Sequence, residues 1–266
     1  MRRANVLIVI LLASLALALM ACGKDRSTGA AATTTSAAPT TTATTATTAT
    51  GATGATTATT ATSATSAPTP RRTSNDGCRA VPAPTPAANP SRRRSRRRLS
   101  RNKIYIATIR TNCGTIRIRL AVGRAPKTTA SFAGLARNGF FDGLTFHRVA
   151  KPGGNDYVIQ GGDPLGTGNG GPGYSIVETP PRNTRYRRYV AAMAKTQTEP
   201  PGTSGGQFFI VTATDAALPP DYAILGEVVG DKRAVRRIAA LPTDPASEAP
   251  LDPVVMSSVR ITSTRR

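Results

Sequence analysis

The chain has 266 residues, and its 35 Lys and Arg against 14 Asp and Glu give a formal net charge of +21. Its one histidine and three cysteines are too widely spaced along the sequence to form a recognisable zinc motif, and no phosphate-binding glycine motif is present. The sequence therefore predicts neither a metal nor another cofactor. The charge is uneven: residues 1–101 hold 14 Lys or Arg against 2 Asp or Glu, and residues 102–266 hold 21 against 12.

The N-terminus has the pattern of a secretory signal peptide. A basic start precedes an apolar run over residues 6–20, which is short for a membrane span. The Leu-Met-Ala-Cys sequence that ends at Cys22 resembles the bacterial lipobox, in which the cysteine is lipidated after cleavage. We predict a signal peptide over residues 1–21 and a lipoprotein anchored through Cys22 to the outer face of the bacterial cell membrane. The alternatives are a secreted protein with an incidental cysteine, or a retained anchor helix.

Residues 22–101 have the composition of a disordered linker. From 27 to 70 the chain is nearly all Thr, Ala, Ser, Gly and Pro, which leaves few apolar side chains to bury. The linker ends in an arginine run that begins at Arg92 and finishes at Arg98. In an exported protein this run favours an anionic envelope surface as partner rather than nucleic acid. A charged segment without a dedicated ligand is the simpler interpretation, and the sequence favours it slightly.

The two remaining cysteines form an even pair if Cys22 is lipidated. Cys78 lies in the linker and Cys113 near the start of the domain. In an oxidising compartment these two residues are candidates for a disulfide that fixes the end of the linker to the domain. Two separate thiols are the alternative, because the sequence alone does not fix their geometry.

The predicted domain, residues 102–266, opens with a β-hairpin. Runs 104–110 and 115–120 are rich in β-branched residues and are separated by turn residues. A helix is predicted next, because Pro126 suits a first helical turn and apolar residues follow at helical spacing until Gly139.

Further short strands and a second helix, over residues 232–241, fill the rest of the domain. The strand-like runs are 144–149, 157–161, 189–194, 207–211, 223–228 and 254–262. Many short strands, Gly/Pro loops and two helices are typical of an all-β barrel or sandwich.

Five sequence blocks carry the functional signal. They read FHRV, YVIQGGDP, GTGNGGPGY, AMAK and GGQFFIVT. In this order and spacing they resemble the cyclophilin-type peptidyl-prolyl isomerases over roughly residues 103–261. The resemblance implies a closed eight-stranded antiparallel β-barrel capped by two helices. It also implies catalysis of rotation about Xaa-Pro bonds, a reaction that makes or breaks no covalent bond.

The resemblance assigns the central catalytic role to Arg148. A guanidinium that donates to the prolyl nitrogen draws the lone pair out of amide resonance, which stabilises the twisted state. Gln160 and Gln207 match the family's glutamines, and these neutral amides can orient the guanidinium without cancelling its charge. The interpretation requires that the guanidinium of Arg148 is neither locked in an internal ion pair nor directed away from the slot that binds the proline ring.

The resemblance further implies an apolar slot for the proline ring, with Phe209 as its floor. Phe209 and Tyr222 join Arg148 and Gln160 in the catalytic group, and Tyr222 stands where the family often has histidine. The substrate-binding positions are Tyr157, Val158, Ala194, Lys195, Gln207 and Leu218.

The chain departs from the family pattern at several positions. Ala217 replaces a frequent tryptophan, Lys195 an asparagine and Gly206 a frequent serine, changes that are expected to affect ligand preference. The loop over residues 150–156 is about four residues longer than usual, which affects the aim of Arg148. His147 is expected to be a packed structural residue, because the reaction needs no proton transfer.

These observations predict a monomeric prolyl isomerase that accelerates the folding of exported or envelope proteins, with proline-containing polypeptides as substrates. Uncatalysed Xaa-Pro exchange takes tens to hundreds of seconds, which is slow enough to limit folding. The alternative is a membrane-tethered module that binds proline-containing segments, as a chaperone would, without catalysis.

Overall fold

The computed structural model of the protein describes residues 77–86 and 90–266. Ten β-strands and two α-helices lie within these residues. In chain order they are β1 (Lys103–Thr111), β2 (Gly114–Leu120), α1 (Pro126–Arg137), β3 (Thr145–Ala150), β4 (Val158–Asp163), β5 (Ile176–Val177), β6 (Val190–Met193), β7 (Thr203–Ser204), β8 (Phe208–Val211), β9 (Ile224–Val228), α2 (Arg233–Ala240) and β10 (Met256–Arg265).

Both predicted helices and all eight predicted strands are present, with ends shifted by up to three residues. The sequence did not predict β5 and β7. These strands are two residues long and exist only through their pairing, Ile176 with Ser204 and Val177 with Thr203. Strands this short carry no alternating pattern, so only the tertiary contact defines them.

The eight longer strands form one antiparallel sheet in the order β10-β1-β2-β9-β6-β8-β4-β3. The fold is mainly β with two helices, as predicted, but the expected closed barrel is not confirmed. Between its edge strands β3 and β10 the described residues show one isolated bridge, Thr145 with Val255, and single bonds such as Phe146 N–H to the Val254 carbonyl. Pro253 lacks an N–H in this region, so a continuous ladder cannot extend through it.

Side-chain alternation on the strands builds two separate apolar clusters. In β8, Phe208 and Ile210 enter the main core, whereas Phe209 and Val211 belong to the second cluster. Successive side chains of a strand point to opposite faces of the sheet, so β8 has apolar residues on both faces. The main core is closed by the helices, and Phe132 of α1 contacts the Phe208 ring edge-on at 5.6 Å. The second cluster is the part that matters for function.

The described part of the predicted linker lies against the domain. Cys78 and Cys113 form a disulfide across 35 residues of sequence. Beside it, the Arg79 N–H donates to the Asn112 carbonyl and the Asn112 amide donates back to the Arg79 carbonyl. Leu99 is 7% exposed. The predicted signal peptide, Cys22 and the rest of the linker lie outside the described residues, and no helix within the described ranges is long and apolar enough to cross a membrane.

Removing the disulfide should destabilise the domain. The cross-link closes a loop of 35 residues, so the chain-entropy relation predicts a loss of about 3–4 kcal/mol in the free energy of unfolding for Cys78→Ser/Cys113→Ser. Urea denaturation of the whole protein measures this loss. The unmodified protein in reducing agent should match the double variant, and an unchanged midpoint in both cases would contradict the bond's contribution.

Candidate active site

Strand register brings the predicted catalytic residues into one row. Arg148 of β3 pairs with Gln160 of β4, and Gln160 pairs with Phe209 of β8. Phe209 in turn lies opposite Ala192 of β6. Directly opposed residues of antiparallel strands project to the same face. Because Phe209 belongs to the second cluster, this row lies on the face of the sheet opposite the main core.

A relay of amide groups orients the guanidinium of Arg148. The Gln207 side-chain nitrogen donates to the carbonyls of Gly168 and Gly170, at 2.8 and 2.9 Å. Its oxygen accepts from Gln160 Nε2 at 2.9 Å, and Gln160 Oε1 accepts from Arg148 Nη1 at 3.3 Å. Each amide uses both its donor and its acceptor, so the glycine-rich loop fixes the donor-to-acceptor direction of the whole series of hydrogen bonds.

Glu248 forms an ion pair with Arg148 that the sequence did not predict. Its Oε2 lies 2.6 Å from Arg148 Nε. The expectation that the guanidinium has no internal carboxylate partner is therefore wrong. The pair engages the Nε side of the group only, and within the described residues Arg148 Nη2 has no hydrogen bond. The side chain of Arg148 as a whole is 37% exposed.

The predicted slot residues gather in the second cluster. Val158 and Phe209 are buried there, at 4% exposure each. The partly buried side chains that pack on them include Tyr157, Ala194, Leu218 and Tyr222. The Tyr222 ring meets Phe209 edge-on, with 5.4 Å between ring centroids. The site therefore combines a fixed guanidinium with an apolar, aromatic-lined surface.

Tyr186 is a site residue that the sequence did not predict. It is completely buried in the second cluster, where its hydroxyl donates to the Tyr222 carbonyl at 2.7 Å and accepts from the Tyr222 N–H at 3.0 Å. Burial raises the pKa of Tyr186 to about 12, so its phenol stays neutral. Tyr186 lies in an arginine-rich stretch that has no strand pattern and is outside the five blocks, so no sequence signal marked it as a site residue.

Lys195 lies beside the slot, whereas Gly206 is required by the packing of a neighbouring ring. The Lys195 ammonium lies 5.7 Å from the centre of the Tyr222 ring and donates to the carbonyls of Thr196 and Glu199, so it is held beside the slot. A Cβ at Gly206 would lie 2.7 Å from Phe140 Cε1, an impossible approach without movement. Gly206 therefore serves packing.

The lengthened loop after β3 is fastened at its start. Residues Pro152–Gly154 form a single 3₁₀ turn. Lys151 Nζ donates to the carbonyl of Leu241, the residue that follows α2, at 2.7 Å. The extra length is thus taken up by a turn attached to the second helix.

His147 is packed rather than placed for proton transfer. Both ring nitrogens are inaccessible to solvent, and neither has a hydrogen-bond partner among the described residues. Burial lowers the pKa of His147 below its ordinary value of 6.5; the charge of Arg148 acts in the same direction and that of Asp163 in the opposite one. The imidazole is therefore neutral at pH 7, as a structural role requires.

The lowered pKa of His147 predicts a pH-dependent stability. The unfolded chain binds a proton near pH 6.5 while the folded protein resists it, so the free energy of unfolding should fall as the pH drops from 7 to 5. Urea midpoints across this range measure the effect, and His147→Gln should reduce the slope. Equal slopes for both proteins would show that this histidine does not couple protonation to folding.

Comparisons with known proteins agree with this geometry. Residues 106–261 match the family model of the cyclophilin type peptidyl-prolyl cis-trans isomerases. The chain is 40% identical over 171 residues to peptidyl-prolyl cis-trans isomerase B of Streptomyces anulatus, a match that covers 58% of this chain and 94% of that protein. It is also 40% identical over 173 residues to peptidyl-prolyl cis-trans isomerase A of Mycobacterium tuberculosis, covering 58% and 91%.

A solved structure extends the match to the fold. The cyclophilin type peptidyl-prolyl cis-trans isomerase of Cryptosporidium parvum, crystallised in the presence of the dipeptide Ala-Pro, superposes with a TM-score of 0.54 at 29% identity. The match covers 60% of this chain and 99% of that one. The protein belongs to the cyclophilin-type peptidyl-prolyl cis-trans isomerase family, and the domain is an enzyme of that class.

Proposed function

We propose that the enzyme rotates Xaa-Pro bonds with the assistance of Arg148. The observation that carries the proposal is the position of one half-exposed guanidinium, fixed by Gln160 and Glu248, beside the aromatic slot around Phe209. The charge of Arg148 also acts on the Tyr222 phenol, whose pKa it lowers against the larger raising effect of burial. This coupling supports a short distance between the cation and the slot.

In the proposed mechanism the proline ring packs against Phe209, and Arg148 donates to the prolyl nitrogen. Donation to that nitrogen weakens its conjugation with the carbonyl and so lowers the rotation barrier of about 18–20 kcal/mol. The remaining Nη2 protons of Arg148 are the donors best suited to this contact, because Nε and Nη1 are already engaged. Proline-containing polypeptides are the proposed substrates. The presence of Ala-Pro with the Cryptosporidium protein supports that choice.

Arg148→Ala tests the mechanism directly. Loss of a preorganised donor should lower kcat/KM for a short Xaa-Pro peptide by about 100-fold or more, since such a donor acts mainly on the transition state. Exchange NMR measures the rate. Arg148→Lys, which keeps the charge but loses the fork, should recover only part of the activity.

A matched control is Arg119→Ala, which removes an arginine of similar charge from an exposed ion pair with Glu227 at 3.9 Å. Its rate should equal that of the unmodified protein. If Arg148→Ala also retained the full rate, the guanidinium would have no part in catalysis.

The second candidate function is a holder that binds proline-containing segments without catalysing their isomerisation. The Glu248 ion pair favours it because it occupies part of the Arg148 guanidinium. Lys195 and Ala217 favour it because they depart from the residues usual in the family at these positions. Peptide affinity and exchange rate measured on one sample separate the two functions. A pure holder would show affinity with no acceleration, whereas the enzyme shows both.

We propose an extracytoplasmic setting, in which a lipid anchor at Cys22 holds the domain at the outer face of the membrane and the enzyme folds exported or envelope proteins as a monomer. The disulfide between Cys78 and Cys113 supports an oxidising compartment. A secreted form without the lipid is the alternative.

The arginine run is proposed to contact an anionic envelope surface. Four of its side chains, with Lys127 of α1, line one depression on the domain. These arginines are Arg93, Arg94, Arg96 and Arg98. Each basic residue close to such a surface contributes about 1 kcal/mol, so the set can act together where a single residue would not.

Substituting three of these arginines by glutamine tests the contact. Arg93→Gln/Arg94→Gln/Arg96→Gln in the full chain should lower retention on envelope material about 100-fold at low salt, and the difference should vanish in high salt. The matched control removes the same charge from the exposed positions Arg110, Arg117 and Arg119. Equal retention of the two triple variants would mean that net charge alone, and not this surface, binds.

A further inference from the structure

Glu248 contacts both the side chain of Arg148 and the backbone of β3, the strand that carries it. Its carboxylate contacts Arg148 Nε at 2.6 Å, and its carbonyl accepts from the N–H of Val149, the next residue of β3, at 2.8 Å. The residue lies 100 positions further along the chain than Arg148. One residue of a distant loop thus fixes the strand and the functional group that the strand carries.

The loop that presents Glu248 is internally fastened. The Glu248 N–H donates to the Asp244 carbonyl, and the Asp244 N–H donates to the Ala249 carbonyl. The Asp244 carboxylate accepts from the backbone of Ala246 and from both the backbone and the hydroxyl of Ser247. Bonds from Ser247 hold the pKa of Asp244 below its ordinary value. The carboxylate of Glu248 therefore comes from a compact loop with few free torsions.

Glu248 also adopts a backbone conformation that glutamate disfavours. Its φ is +56°, in the left-handed region where glycine or asparagine is usual. Strain at a non-glycine residue persists only when the surroundings hold it there, and it often accompanies a functional contact. The Arg148 contact is the one interaction of the described residues that uses the long acidic side chain at this position.

We infer that Glu248 is a positioning residue that aims Arg148 at the substrate; this rests on the catalytic role proposed above for Arg148. The carboxylate holds Nε and the Gln160 amide holds Nη1, so two contacts on different atoms fix the plane of the guanidinium. The Nη2 end is left for the prolyl nitrogen. Arg148 and Glu248 are 37% and 33% exposed, so solvent screens their attraction and the main effect is on direction.

The opposite role is a brake, in which the carboxylate competes with the substrate for the guanidinium. The geometry favours positioning because the carboxylate contacts Nε and leaves Nη2 without a partner among the described residues. A brake predicts that removing Glu248 raises the rate, whereas a positioning residue predicts that the rate falls.

Three variants of the full chain separate these roles. Glu248→Gly removes the side chain and also relieves the φ of +56°, so the urea midpoint should be equal or higher while kcat falls about tenfold and KM changes less than twofold. Glu248→Ala should lose the same activity. Glu248→Gln offers a neutral oxygen at the same reach and should recover kcat to within about threefold of the unmodified protein.

Each result either supports the inference or overturns it. A stable Glu248→Gly protein with lowered kcat supports positioning, since a purely structural role would lower stability and leave the kcat and KM pattern unsplit. A raised kcat identifies a brake and overturns it. Unchanged kcat in Glu248→Gly and Glu248→Ala also overturns it, as does a Glu248→Gln protein no better than Glu248→Ala.

A double-variant cycle keeps this inference distinct from the proposed function. In an Arg148→Ala background, Glu248→Gly should cause no further loss, because the group that it aims is gone. If Arg148→Ala alone keeps full activity, the proposed mechanism fails and takes the inference with it. If Arg148→Ala is inactive while Glu248→Gly is fully active, the inference alone fails. The Arg148 Nε–H NMR signal should exchange slowly with solvent in the unmodified protein, where Glu248 accepts from it, and faster in Glu248→Gly.

Discussion

The site depends on how a single guanidinium is held. Arg148 is long and half-exposed, and a free arginine side chain would sample many rotamers. Two contacts restrict it: Gln160 on Nη1, at the end of an amide relay that begins in a glycine-rich loop, and Glu248 on Nε. In the proposed mechanism no covalent bond is made or broken, so catalysis depends on hydrogen bonding and shape and therefore on how precisely Arg148 is held.

The scaffold provides this precision by placing the site on strands. β3, β4 and β8 bring Arg148, Gln160 and Phe209 into one row through backbone pairing. The same strands alternate inward residues for the main core with outward residues for the second cluster. Because β8 is apolar on both faces, the floor of the slot is fastened to the main core through the backbone itself.

The described linker segments and the loop after α2 act on the domain from outside the sheet. The disulfide between Cys78 and Cys113 fixes the upstream chain next to the β1–β2 turn. The chain from Glu248 to Met256 runs along the free edge of β3, where Val149 and Phe146 donate to its carbonyls. This edge is thus covered without a regular ladder, and the covering chain contributes a carboxylate to the site.

Much of the molecule follows from sequence pattern. Alternation of Ile116 and Ile118 with exposed arginines predicts β2, and Pro126 marks the start of α1. The ordered blocks imply the family, the orienting role of Gln160 towards Arg148, and the slot around Phe209. These features are local, or conform to a spacing that can be recognised. The open edge between β3 and β10, the two-residue strands, the buried Tyr186 and the Glu248–Arg148 pair were decided by the tertiary structure alone. Each of these features requires contact between segments that are tens of residues apart, and the residue pattern within either segment does not predict that contact.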